Sequence, residues 1–159
     1  MQANTLLMTA ATVTLAGIGG LYYSFACSVM PGLRATDDST FVSAMSRING
    51  AIQNPVFALG FFGAFFCLAG AAVYSSVNGL DSALPVGLAW AFYTATLVIT
   101  FAVNIPLNNG LAKAAGSGQA AARKAFEQKW TRWNLHRTWL SLASLVALSA
   151  GWAVLGHSG

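Results

Sequence analysis

Trp130-Thr131-Arg132-Trp133-Asn134-Leu135-His136-Arg137 concentrates more groups able to bind or transfer protons than any other stretch of the chain, and it stands directly before a final apolar run. An imidazole titrates near neutral pH, a guanidinium keeps its charge and offers a fork of donors, and an amide both donates and accepts. Earlier, Asn104-Ile105-Pro106-Leu107-Asn108 sets two amides four apart around a proline. Metal ligation is poorly served: the two histidines, His136 and His157, fall at opposite ends of the last apolar run, and no CxxC or HxxxH spacing occurs. Nucleophilic triads and phosphate-binding glycine loops are absent from the sequence as well.

These groups must be positioned by apolar elements. Of the 159 residues 56% are hydrophobic and 8% charged, with mean hydropathy +0.61; a soluble domain carries about a quarter charged residues. All Asp, Glu, Lys and Arg lie outside the windows 1–33, 48–80, 82–112 and 138–159. Each window supplies the roughly 17–25 residues that cross a bilayer core, which predicts four transmembrane helices at about 6–29, 53–77, 85–103 and 133–155. The first has no basic residue ahead of it and reads as a span rather than a cleaved signal. Arg34, Arg47, Lys113, Arg123, Lys124, Lys129, Arg132 and Arg137 all fall at or between the ends of helices one and two or three and four. The positive-inside rule then puts both basic connections in the cytoplasm and both termini outside, as for a protein of a bacterial inner membrane. The pI near 9.4 reports that topology and contact with lipid headgroups, and gives nucleic-acid binding no support. Cys27 and Cys67 lie at different depths, so no disulfide is expected, and both read as packing residues.

Along the chain, Ala16, Gly17, Gly19 and Gly20 on helix one, Gly60, Gly63, Ala64 and Gly70 on helix two, and Ala143, Ala147 and Gly151 on helix four are small enough for helix backbones to approach. Such faces suit the bundle itself or a homodimer. Met30-Pro31-Gly32 is expected to end helix one. Asp37-Asp38-Ser39-Thr40 caps a short one-sided helix from about Thr40 to Asn49, with Phe41, Ala44, Met45 and Ile48 as its apolar positions. Pro106 frees the Ala102 carbonyl and predicts a polar kink. Gly110 to Gly118 reads as a small, flexible segment, and Gln119 to Lys129 as a second short amphipathic helix on the cytoplasmic side.

Phe41-x-x-x-Met45-Ser46-Arg47-Ile48-Asn49 aligns without gaps on Phe126-x-x-x-Trp130-Thr131-Arg132-Trp133-Asn134. The chain thus reads as one all-α, polytopic membrane four-helix bundle, made of two parallel helix-pair repeats, about 1–80 and 81–159, with two short amphipathic cytoplasmic helices. Two-span halves insert in the same direction, bringing both proline turns to one end. Asn49, Asn104, Asn108, Asn134, His136 and Arg137 then share one depth. Tyr22 and Tyr23 form either an interfacial belt or a pocket wall. Polar and ionisable groups at membrane depth are functional candidates; their structural alternative is helix capping and snorkelling.

The set Met30-Pro31, Asn49, Asn104-x-Pro106-x-Asn108 and Trp130-x-x-x-Asn134-x-x-Arg137 resembles the small four-helix membrane family of anthrone oxygenase-like proteins (DUF1772), over nearly the whole chain. The resemblance implies oxidation of an apolar aromatic, an anthrone-like polyphenol, by O2 as co-substrate, with no established metal or organic cofactor; haem or a metal stays open. For that chemistry Arg137 with Asn104 and Asn134 would form an oxyanion clamp and Asn49, Asn108, Trp130, Trp133, Tyr22, Tyr23 and Met30 would surround the substrate, which would enter from membrane lipid; His136 as base rests on its imidazole alone and not on the resemblance. Two other classes remain: a small-molecule binder or transporter using the same pocket, and a non-enzymatic membrane assembly subunit.

Overall fold

Each charge-free window folds into a long helix because lipid leaves backbone groups no partner but one another. The computed structural model describes residues 2–114 and 118–157, with the His157 side chain and part of the expected Gly110–Gly118 linker outside them. The elements are α1 (Gln2–Ser24), a π-helical turn (Phe25–Val29), α2 (Met30–Arg34), α3 (Asp38–Ala51), α4 (Pro55–Val77), α5 (Ala83–Ile99), a second π-helical turn (Thr100–Asn104), α6 (Ile105–Lys113) and α7 (Gln119–His157). Four runs, 2–34, 55–77, 83–113 and 119–156, are long and apolar enough to cross a membrane, so this is an integral membrane protein.

α1 packs on α4, α4 on α5, α5 on α7 and α7 back on α1, closing a four-helix ring. Hydrophobicity alone does not choose the inward faces, since Leu6, Val13, Leu59, Phe66 and Val146 all point outward. What marks them is a stripe of small or polar residues spaced alternately three and four apart. On α5 and its π turn it is Val86, Ala89, Tyr93, Thr96 and Thr100; on α7 it includes Asn134, Arg137, Ser141, Ser144, Leu148 and Gly151. That spacing holds one face toward a neighbour, and the small side chains let backbones close in. Gly60, Gly63 and Gly70 of α4 meet Ile18, Thr14 and Leu7 of α1. On α1, by contrast, only Gly19 is met closely, by Ser141; Ala16, Gly17 and Gly20 face outward. Cys27 is exposed rather than packed, and neither cysteine is in a disulfide.

Several helix boundaries differ from expectation. Helix one does not end at Pro31. The π turn before it lets the Met30 amide reach back to the Phe25 carbonyl, and the helix continues to Arg34. A wider turn directly ahead of a proline accommodates its missing donor without breaking the axis. The same device precedes Pro106, where the Ile105 amide donates to the Thr100 carbonyl and α6 carries on through Gly110 to Lys113. Gln119–Lys129 is not a separate helix either: with no glycine or proline before Trp133, it runs unbroken into α7.

α3 begins at Asp38, two residues earlier than read, because Asp37 is its N-cap: the carboxylate accepts from the Thr40 amide and the hydroxyls of Thr40 and Ser39. Phe41, Val42 and Met45 are buried against α6 and α7, forming with Phe25, Met30, Leu111, Phe126 and Trp130 a second core at the basic end. Arg123 clamps this cap. Its Nη1 donates to the Thr36 carbonyl (2.8 Å) and Asp38 (3.1 Å), Nη2 to the Arg34 carbonyl (2.9 Å), and Nε to Glu127 (2.8 Å), which also accepts from Arg34.

Candidate functional site

Between the two cores lies a hollow of about 670 Å³ whose wall draws on each of the four membrane-length runs. Phe57, Phe61 and Phe62 come from α4, Thr100, Phe101 and Asn104 from the second π turn, Tyr22 and Phe25 from α1 and its π turn, and Trp130 and Arg137 from α7. Asn49, Gln53 and Asn54 form the edge nearest the basic end. Phe62, Phe101 and Ile105 are 42%, 52% and 37% exposed, so the hollow reaches the outer surface between α4 and α5–α6, where lipid would stand.

Arg137 is the charged group of this wall and is 5% exposed. Nη2 donates to Asn134 Oδ1 (2.8 Å) and Nη1 to Thr100 Oγ (3.3 Å). The guanidinium carbon stands 4.3 Å from the Tyr22 ring centre and 5.5 Å from that of Trp130. Each such cation–π contact contributes up to about 2 kcal/mol when desolvated, against several kcal/mol for burying the ion. Among the described residues no carboxylate offsets the charge. Asp38 and Glu127 pair with Arg123 and Arg34, Asp37 caps α3, and Asp81 sits in the α4–α5 loop at the other end of the bundle.

Around this cation several buried polar atoms lack a hydrogen-bond partner: Arg137 Nε, both amide atoms of Asn104 and Asn49 Nδ2. Such groups are rare in proteins and mark strain or a ligand. Asn134 and Asn108 are instead committed. Asn134 Nδ2 donates to the Tyr22 carbonyl (3.0 Å), and Asn108 Oδ1 accepts from Trp130 Nε1 (2.8 Å), fixing the indole against Phe25.

The hollow therefore gathers Tyr22, Asn49, Asn104, Asn108, Trp130 and Arg137, with Asn134 directly behind the guanidinium. It does not gather the rest. His136 is exposed, its ring 5.3 Å from that of half-buried Trp133, and neither lines the hollow. Tyr23 is 55% exposed, and Met30 is buried in the core beneath. The base expected at His136 thus stands outside the cavity, because one residue along a helix turns the side chain by about 100° at 3.6 residues per turn. Thr100, Phe57, Phe61 and Phe101 were not singled out from sequence. Thr100 sits four before Asn104, a spacing that could have drawn it in.

The set suits binding a planar aromatic whose oxygen carries negative charge: aromatic walls, one cation and amide donors. No group of three His, Cys, Asp or Glu residues that could hold a metal occurs among the described residues. No curated protein and no solved structure matches the chain. The family described as anthrone oxygenase matches residues 44–147, a stretch from α3 well into α7 that takes in Asn49, Asn104, Asn108, Trp130, Asn134 and Arg137. On that match, which spans more than half of its length, the chain belongs to the anthrone oxygenase family.

Proposed function

We propose that this integral membrane protein is an oxidoreductase that uses O2 to oxidise an apolar, anthrone-like phenolic in the hollow at the basic end of the bundle. The observation that carries the reading is the buried, carboxylate-free Arg137 guanidinium between Tyr22 and Trp130, beside the unpartnered Asn104 amide. An anthrone's central CH2 lies between two aryl rings and is conjugated with a carbonyl, so loss of one proton gives an extended phenolate. Arg137 and Asn104 stabilise that oxyanion, and such preorganised donors act most strongly where water is excluded. The electron-rich anion passes one electron to O2, the radical pair joins in a C–O bond, and the resulting peroxide anion takes one proton from solvent to give a hydroperoxide. Loss of water then leaves the second carbonyl, so that one oxygen atom enters the product and the other leaves as water. O2 is the co-substrate, and the chain's own contribution is binding, orientation and charge stabilisation without a cofactor.

The finer placement follows the same reading. The bundle is two parallel helix-pair repeats, a reading supported by the two five-residue π turns, each leading into a short proline-containing helix. α3 is an amphipathic helix at the cytoplasmic interface, both termini lie outside, and the membrane is a bacterial inner membrane. The outward Ala16, Gly17 and Gly20 suit a second copy of α1. Transport is less well supported, since fully buried Leu15, Leu68 and Tyr93 close the bundle beyond the hollow. An assembly role leaves the unpartnered polar atoms unexplained.

Purified protein in vesicles, given 9(10H)-anthracenone and isotopically heavy O2, tests the proposal. Anthraquinone carrying one heavy oxygen, formed well above the rate in protein-free vesicles, is expected. A rate equal to that of empty vesicles would overturn it.

A further inference from the structure

We infer that the hollow takes its ligand as a preformed monoanion: a planar aromatic phenolate whose oxygen is the counter-ion that Arg137 lacks among the described residues. The inference rests on the reading of the hollow as a phenolic site and adds the charge state in which the ligand is held before any reaction.

Three observations converge. First, the charge balance of the wall is one cation and no anion. Among the described residues Tyr22 of α1 and Arg137 of α7 are the titratable groups lining it. α3, α4 and α5–α6 bring amides, phenyl rings, Thr100 and apolar side chains. One positive charge in an apolar enclosure is complemented by one negative charge. A neutral ligand leaves it uncompensated, and a dianion such as a phosphate ester brings a second charge that nothing opposes.

Second, the unpartnered groups are mostly donors. Arg137 Nε–H, Asn104 Nδ2–H and Asn49 Nδ2–H have no acceptor, whereas among the described residues Asn104 Oδ1 is the one buried lining amide oxygen left without a donor. A phenolate oxygen accepts from several donors at once, while a neutral phenol spends its own proton as a donor. Third, among the described residues the wall holds no carboxylate and no imidazole. With His136 exposed outside it, no lining group is suited to take a proton from a bound phenol at neutral pH. The ligand's hydroxyl proton goes to solvent, at the edge where exposed Gln53, Asn54 and Asn109 line the hollow. No bond other than O–H is broken in this step.

The probe is 2-hydroxyanthraquinone, already fully oxidised, whose phenol and phenolate absorb at different visible wavelengths. Its hydroxyl titration is followed with the full-length protein in detergent and with the same detergent alone. We expect the bound probe to ionise about one pH unit or more below the probe in protein-free micelles, a tenfold preference for the anion per unit. 2-Methoxyanthraquinone, which cannot ionise, should bind at least about tenfold more weakly at a pH where the bound hydroxy probe is ionised. Arg137→Lys should keep part of the shift and Arg137→Gln should lose it. Should Arg137→Gln fail to fold, the wild-type spectrum and the methoxy comparison decide alone. A bound probe that keeps the neutral spectrum, equal affinity for the methoxy compound, or no binding at all overturns the inference. Neutral binding together with anthrone oxidation would remove this inference and leave the proposed oxidation standing; anionic binding without oxidation would do the reverse.

Discussion

Asn134 holds Arg137 from three residues earlier on α7: its Oδ1 accepts from Nη2 at 2.8 Å, while its Nδ2 donates to the Tyr22 carbonyl at 3.0 Å. One amide thereby fixes the guanidinium and ties α7 to α1. Replacing it by near-isosteric leucine leaves a buried Nη2 without its acceptor. Asn134→Leu should lose about 1–3 kcal/mol of stability, the range for an orphaned buried partner, and kcat should fall through misplacement of Arg137. Thermal unfolding in detergent, alongside kcat and KM, checks this. A variant as stable and active as the wild type would mean that the amide positions nothing.

The glycines separate into those that are packed and those that are not. A Cβ on Gly151 would stand 2.9 Å from Val86 Cγ2 and 3.4 Å from Met8 Cε, and both residues are fully buried. Val86 is stiff at χ1, so the helices must part. Gly151→Ala should cost about 1–3 kcal/mol, as overpacking does. Gly20 has nothing within 4 Å of its would-be Cβ. Gly20→Ala should be neutral or raise stability by up to about 1 kcal/mol through helix propensity. Paired melting curves decide; the same loss at both positions would contradict the packing described.

Asp37 supplies a pH dependence with a defined sign. The Thr40 hydroxyl and amide, then the Ser39 hydroxyl, hold its carboxyl well below the usual carboxylate range. A depressed folded-state pKa contributes stability that is fully present above the unfolded value, about 3.9, and is lost as pH falls through the folded one. Hydrogen exchange at the first amides of α3 should therefore quicken as pH drops below about 4 once the intrinsic acid dependence is removed. Asp37→Ala should show fast exchange already at neutral pH and lack this extra acid dependence. Asp37→Asn, which still caps, should stay protected. Identical acid profiles for wild type and Asp37→Ala would refute the assignment.

Depth was legible in the sequence and facing was not. Charges cannot sit in lipid, so twelve of them outlined four spans, and fixed rise per residue put Asn49, Asn104, Asn134 and Arg137 near one level. Which side of a helix turns inward is ordinarily read from hydrophobic periodicity, and in a span apolar on all sides that signal vanishes. His136 and Arg137 are adjacent and equally polar, yet one faces out and the other in. The small-and-polar stripe from Asn134 through Ser141, Ser144 and Gly151 carried the missing information, in a code of residue size. Pro31 and Pro106 marked irregular turns, but proline's usual effect is to end a helix. That the chain would pass through on a π turn depends on the packing of α2 and α6 beneath the bundle, which no local rule records.

The most direct test of the site as a whole is the turnover of 9(10H)-anthracenone by Arg137→Gln in vesicles, with folding verified by its melting curve. If the guanidinium stabilises the reacting oxyanion, kcat should fall by about 10²–10³, as when one oxyanion donor is removed elsewhere, while the protein still melts cooperatively. A folded Arg137→Gln protein that oxidises the substrate as fast as the wild type would contradict the account.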